Sequence, residues 1–158
     1  DEPQEVDIQL SDTRAEFSVG DIRLTTKLID GSFPDYKRVI PVGNDKIISV
    51  DVDLLSAAVD RVSTIASDKS RAIKLNISAG QLVLSATNPD ASSATEMLEI
   101  TYAGEPIDIG FNARYLMDIL SQVQGEMIAI ELADSGSPSL LRDPEDDTSI
   151  FVLMPMRV

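Results

Sequence analysis

The chain has no cysteine and no histidine. Without cysteine, disulfides and thiolate metal sites are excluded, which leaves the compartment open and compatible with cytoplasm. Without histidine as well, the usual general bases and nucleophiles are missing, and any chemistry falls to carboxylates, lysine, tyrosine and Ser/Thr hydroxyls. Positive charge is scarce too: 13 Lys and Arg stand against 27 Asp and Glu, a formal net charge of −14. That balance argues against tight wrapping of nucleic acid through phosphate contacts. A net charge averages over all faces, however, and leaves room for a loose encounter through a less acidic one. No apolar run approaches a membrane span and no charged-then-apolar leader opens the sequence, so the expectation is a soluble protein that is not exported.

The carboxylates are abundant but fall on turns and strand edges. The run DPEDD at residues 143–147 lacks the spacing and the glycine of a calcium loop and reads as a solvated acidic loop. The sequence offers no catalytic constellation, no cofactor site and no metal site.

What is present, 158 residues of which 43% are hydrophobic, suffices for one domain with a sizeable core, or one domain and part of another. The stretch LIDGSFPDYKRVIP at residues 28–41 organises the rest. Its prolines, its Asp-Gly pair, its two aromatics and its adjacent cations lie between strand-like runs, which makes it a joint between packed units. Phe33, Pro34, Tyr36, Val39 and Ile40 are too many apolar residues for a solvated linker, and they place part of the joint in a groove. The plainer reading is a connector that only packs.

Residues 1–5 are polar and untethered, and the expectation there is a frayed end. Residues 6–10, 15–19 and 21–29 alternate apolar and polar with turns between, the pattern of three antiparallel strands. Their apolar face has nothing to pack on, so they read as the end of a domain whose start is missing. Beyond the joint, a strand at 46–52 leads into a helix over about 53–67, capped by Asp51 or Asp53, with Leu54, Leu55, Ala58, Val62 and Ile65 as its core stripe. Ser56, Asp60, Ser63, Thr64 and Ser67 lie opposite. Strands follow at 72–78, 81–87 and 95–102. The pattern then repeats: a strand at 107–111, a helix from an Asn112 cap to about Gln124, and strands at 126–132, 139–142 and 149–154. The second helix has Tyr115, Leu116, Ile119, Leu120 and Val123 as its stripe, and Arg114, Asp118, Ser121 and Gln124 opposite. Residues 46–158 are thus βαβββ twice over, an α+β arrangement with two helices on one side of antiparallel strands. The polar helix faces point one way and suit sliding or weak contact. At the end, Met154 and Met156 flank Pro155 and offer a flexible, polarisable surface. Alternation puts Val152 and Met154 on one face there, and Phe151 and Leu153 on the other.

The joint at 28–41, GFNARYLMDIL at 110–120 and the terminal VLMPMRV together resemble the bacterial DNA sliding clamps, the beta subunits of the replicative DNA polymerase. The resemblance covers essentially the whole chain. It implies the DNA clamp fold, duplicated βαβββ units with two helices packed on antiparallel sheets, in a family whose chains have three such domains. Residues 1–41 would be the last strands of the middle domain plus the connector, and residues 42–158 the third domain. The first domain and the start of the middle one are absent, which leaves ring formation by this chain open. The implied function is that of a non-enzymatic processivity factor, which as a head-to-tail homodimer ring encircles duplex DNA without sequence preference. Its implied partners are the polymerase catalytic subunit, the clamp loader, translesion polymerases and mismatch-repair factors, all held through short linear peptides. Its implied place is the bacterial cytoplasm at the nucleoid, with no membrane.

Carried onto this sequence, the peptide pocket would be lined by Pro34, Arg38 and Val39 from the connector and by Val152, Leu153, Met154, Pro155, Met156 and Arg157 from the tail. Asn112 and Tyr115 would stand at its rim. Each has a plainer role: Asn112 as a helix cap, Tyr115 as a core residue with a surface hydroxyl, Arg38 as a partner for a nearby carboxylate. Arg61, Lys69, Arg71 and Arg114 are the cations the resemblance turns toward DNA, although single surface cations are usually just solvated. Ile65 matches a subunit contact, beside a Thr64 where an aliphatic residue is expected. Two rivals stand against this reading: a stand-alone peptide-binding module with no DNA role, and a carboxylate-dependent hydrolase or metal enzyme.

Overall fold

The computed structural model describes residues 5–32, 35–66, 71–88 and 92–158. It separates into two compact units, Asp1–Asp35 and Tyr36–Val158.

The first unit is the antiparallel sheet expected of its alternating sequence: β1 (Asp7–Leu10), β2 (Arg14–Val19) and β3 (Ile22–Lys27). Gly20, at φ 55, makes the tight β2–β3 turn that a side chain would strain. Register places Ile8 opposite Phe17 and Phe17 opposite Leu24, so one face is apolar. On the other, Arg23 pairs with Glu16 at 3.2 Å and Thr25 donates to the same carboxylate. The apolar face is bare within its unit, with Leu10 72% and Ile22 74% exposed.

The second unit opens with a 3-10 turn, Tyr36–Arg38, and then runs β4 (Lys46–Asp51), α1 (Val52–Ser63), β5 (Ala72–Ser78), β6 (Gln81–Thr87) and β7 (Ser93–Glu99). A second pass follows as β8 (Ile107–Asn112), α2 (Ala113–Leu120), β9 (Met127–Leu132), β10 (Ser139–Asp143) and β11 (Asp146–Leu153). The predicted βαβββ repeat is there, but the repeats exchange strands. The sheet orders are β7-β6-β5-β8 and β11-β10-β9-β4, so each sheet takes three strands from one repeat and its fourth from the other. A single apolar core joins them, with Ile48, Leu55, Leu75, Leu84, Phe111, Leu116 and Ile130 at its centre.

Four expectations need correction. Both helices end early, at Ser63 and Leu120. The Ser63 and Thr64 hydroxyls donate back to the carbonyls of Asp60 and Arg61, and Ser121 donates to that of Asp118, so hydroxyls compete for the helix's terminal acceptors. Leu54 and Tyr115, read as core, are each 59% exposed, while Val59, left out of the predicted stripe, is fully buried. DPEDD is a solvated turn only in part: Pro144, Glu145 and Asp147 are exposed, but its first residue is not. Asp143 is buried, and its carboxylate accepts N–H bonds from Glu145 at 2.9 Å, Gly125 at 2.9 Å and Gln124 at 3.1 Å, tying the β10–β11 turn to the start of β9. Ser56, placed among the exposed polar residues of its helix, instead turns its hydroxyl to the Met117 sulfur of α2.

Candidate functional site

A groove of about 470 Å³ opens where the start of α2 meets the end of β11. Asn112 and Tyr115 form one wall, and Val152, Leu153, Met154 and Met156 the other. Strand alternation sets up the second wall as expected. Leu153 is 5% exposed and anchors the strand in the core, whereas Met154 is 58% exposed and faces out. After β11 the chain stays extended, and Met156 N–H donates to Gly110 O of β8 at 2.9 Å. Gly110 permits this approach: a Cβ there would lie 2.5 Å from the Met156 carbonyl oxygen and 2.6 Å from the Val158 methyls. The tail is therefore pinned across the two sheets and holds its methionines beside α2.

On the first wall, Asn112 is the α2 N-cap and accepts from Arg114 N–H at 2.9 Å. Tyr115, one turn on, lays an exposed ring against the opening. Asp118 and Ile119 complete the wall. These two were missed because each was assigned to a helix face separately. The signal was available in the spacing of Asn112, Tyr115 and Ile119, which share one face at intervals of three and four residues.

The structure thus brings together Asn112, Tyr115, Val152, Leu153, Met154 and Met156. Pro155 is half-buried and Arg157 exposed, and neither is among the groove's lining residues. Arg38 closes the 3-10 turn and Val39 follows it, 44% exposed, with its N–H donating to Tyr36 O at 2.9 Å. Neither is among the lining residues. Pro34 and Lys69 lie outside the described residues.

The helix cations divide. Arg61 is held by Glu96 of β7, with both Nε and Nη2 donating to the carboxylate, and that hydrogen bond keeps Glu96 below its ordinary pKa. Arg71 and Arg114 line a hollow of about 490 Å³ between the helices, together with Asp60, Ser63 and Thr64. Arg71 sits at φ 45, and its carbonyl accepts from Ala113 N–H at 2.8 Å. Ile65 is half-buried just past the end of α1. Among the described residues, no three acidic side chains converge to hold a metal ion, and no helix is long and apolar enough to cross a membrane.

Comparison with known proteins gives this geometry a context. The family model for the DNA polymerase III beta subunit, C-terminal domain, matches residues 37–157. The beta sliding clamp of Caulobacter vibrioides is 48% identical over 153 residues, which span 97% of this chain and 41% of that protein. That of Escherichia coli K12 is 39% identical over 158 residues, all of this chain and 43% of that one. In three dimensions the chain superposes on a sliding clamp (DNA polymerase III subunit beta) from Bartonella birtlesii, solved bound to griselimycin, with a TM-score of 0.86 at 50% identity. The match covers 97% of this chain and 41% of that structure. The chain therefore spans about two-fifths of the length of the relatives it matches.

Proposed function

The chain belongs to the DNA polymerase III beta subunit family, and from that membership we propose that it is the part of a sliding clamp that receives partner peptides in the groove between α2 and the tail. In this reading it has no catalytic role. Residues 42–158 act as the third clamp domain, and residues 1–41 contribute the last strands and connector of the domain before it. With the remainder of a full-length clamp, two copies close head to tail round duplex DNA in the bacterial cytoplasm. The ring then holds polymerases, the clamp loader and repair factors by short linear peptides.

The observation that carries this reading is the convergence of exposed Met154, half-buried Met156, a tyrosine ring and a capping asparagine on one groove. Two aliphatic or aromatic anchors entering it would each contribute about 1.5 to 3 kcal/mol on full burial, offset by the cost of ordering the peptide. Roughly micromolar affinity follows once backbone hydrogen bonds are added, near −8 kcal/mol. Partners that take turns on one platform require such weakness. Topological retention on DNA also needs no dense phosphate contact, which suits a chain of net charge −14 whose Arg61 is neutralised within the fold.

The test is titration of a short fluorescent peptide bearing two adjacent hydrophobic anchors, with Met154→Ala and Tyr115→Ala alongside. Saturable binding weakened about tenfold by each change is expected, the effect of losing one good apolar contact. Binding that ignores both changes would reject the groove. Peptide binding by a full-length protein that never loads onto circular DNA would favour the stand-alone module.

A further inference from the structure

The two repeats agree position by position where strand runs into helix. Ser49 of β4 stands where Gly110 stands on β8, Asp51 where Asn112 caps, and Leu54 where Tyr115 lies exposed. The two strand edges nevertheless differ. On β8, Ala113 N–H donates to Arg71 O toward β5, so alternation turns Gly110 outward, and the Met156 segment bonds to it there. On β4, Val52 N–H donates to Glu126 O at 2.9 Å, so Val50 and Ile48 bond to β9 while Ser49 and Ile47 direct N–H and C=O away from the sheet. Among the described residues no segment covers them.

A hollow of about 510 Å³ runs along this open edge, lined in part by Ser49, Met97, Glu99 and Met127. It shares Ile100 and Thr101 with a second hollow of about 720 Å³ beside Ile47 and Glu105. Met97 is 63% and Ile47 55% exposed, so apolar side chains line the way. Glu99 and Glu105 are exposed as well, and among the described residues neither is paired with a cation.

We propose that this edge is a second docking site, occupied by an extended segment of a partner protein that adds to β4 as a strand and alternates basic with apolar side chains. Strand addition follows from the outward amide and carbonyl groups of Ile47 and Ser49, and from the fold's own use of an extended segment on the equivalent edge. The basic character follows from the two unpaired glutamates, and the apolar alternation from Met97, Met127 and Ile47. The site lies on elements other than the tail groove, so one chain would hold two peptides at once.

The probe is a short fluorescent peptide of alternating valine and lysine, titrated against this chain, with its valine–glutamate counterpart as control. Expected are saturable binding of the lysine peptide alone and slowed hydrogen exchange at the Ile47 and Ser49 amides. Ser49→Pro removes the outward N–H at an edge position that tolerates proline, and should weaken binding about tenfold. Glu99→Gln, which leaves the backbone untouched, should weaken it severalfold and serves if the proline variant fails to fold. Met154→Ala should leave it unchanged. Equal binding of both peptides, protection confined to the Met154–Met156 segment, or indifference to Glu99→Gln would each overturn the proposal. So would concentration-dependent dimerisation abolished by Ser49→Pro, which would assign the edge to a second copy of the chain.

Discussion

Gly110 and Asp143 are two residues at which a single added or altered group has a calculable effect. A methyl on Gly110 would meet the Met156 carbonyl, which belongs to the backbone and cannot rotate aside. Gly110→Ala should therefore lift the tail from β8 and weaken peptide binding in the tail groove by about tenfold, with far-UV circular dichroism preserved. Unchanged affinity would show that the bridge does not position the methionines. Asp143 acts on stability instead. The N–H bonds from Glu145 and Gly125 lead the causes that hold its carboxyl below the ordinary aspartate pKa. A carboxyl depressed in the folded state contributes stability that is complete above the unfolded value of about 3.9 and is lost as pH falls through the folded value. Asp143→Asn, whose NH2 opposes one of those donors, should lower the melting temperature by a few degrees at neutral pH, and the gap from the parent should close as the solution is acidified below about pH 4. The sequence showed only an acidic run here. The donors at Gln124 and Gly125 come from a distant turn that no local pattern connects to it.

Among the elements, periodicity was a good guide to type and a poorer one to orientation. Period-two alternation marked all three strands of the first unit, and β5 and β6 lie where it placed them. A helical wheel, by contrast, ranks residues by angle alone, and Leu54 lies only one position from fully buried Leu55. The cap decides between them. Asp51 accepts from Leu54 N–H at 2.8 Å, fixing the first turn so that Leu55, Ala58, Val59 and Val62 face the core. Leu55→Ala should cost about 2 to 5 kcal/mol in urea unfolding, and Leu54→Ala less than about 1 kcal/mol, as for surface positions generally. Equal costs would mean that α1 is rotated. The same misreading recurred at Tyr115, three residues past its own cap, and there the exposed ring is a wall of the candidate groove. An apolar residue at that position, on the helix face turned away from buried Ala113 and Leu116, was the most legible sign of the site.

At the scale of the molecule, the repeat was legible but the exchange of strands was not, because a βαβββ pattern is equally consistent with each repeat pairing its own strands. The exchange makes the halves of the second unit interdependent. Separate peptides cut between β7 and β8 should each lack native circular dichroism and regain it on mixing; a half that folds alone would contradict the single shared core. The bare face of the first unit predicts a different behaviour, association that grows with concentration. Sedimentation showing a clean monomer at high concentration would count against it. The pairing of β4 with β9 also has a consequence in time. Lys46 leaves the ribosome long before Leu132, the residue it faces, and until β9 to β11 follow, Ile48 and Val50 have only an unfinished sheet to lie against. Such long-range closure makes for slow folding with a high contact order. Chains that end before β9 therefore leave that apolar surface uncovered, and the expected outcome is that they bind chaperones and are cut by proteases more readily than the whole unit.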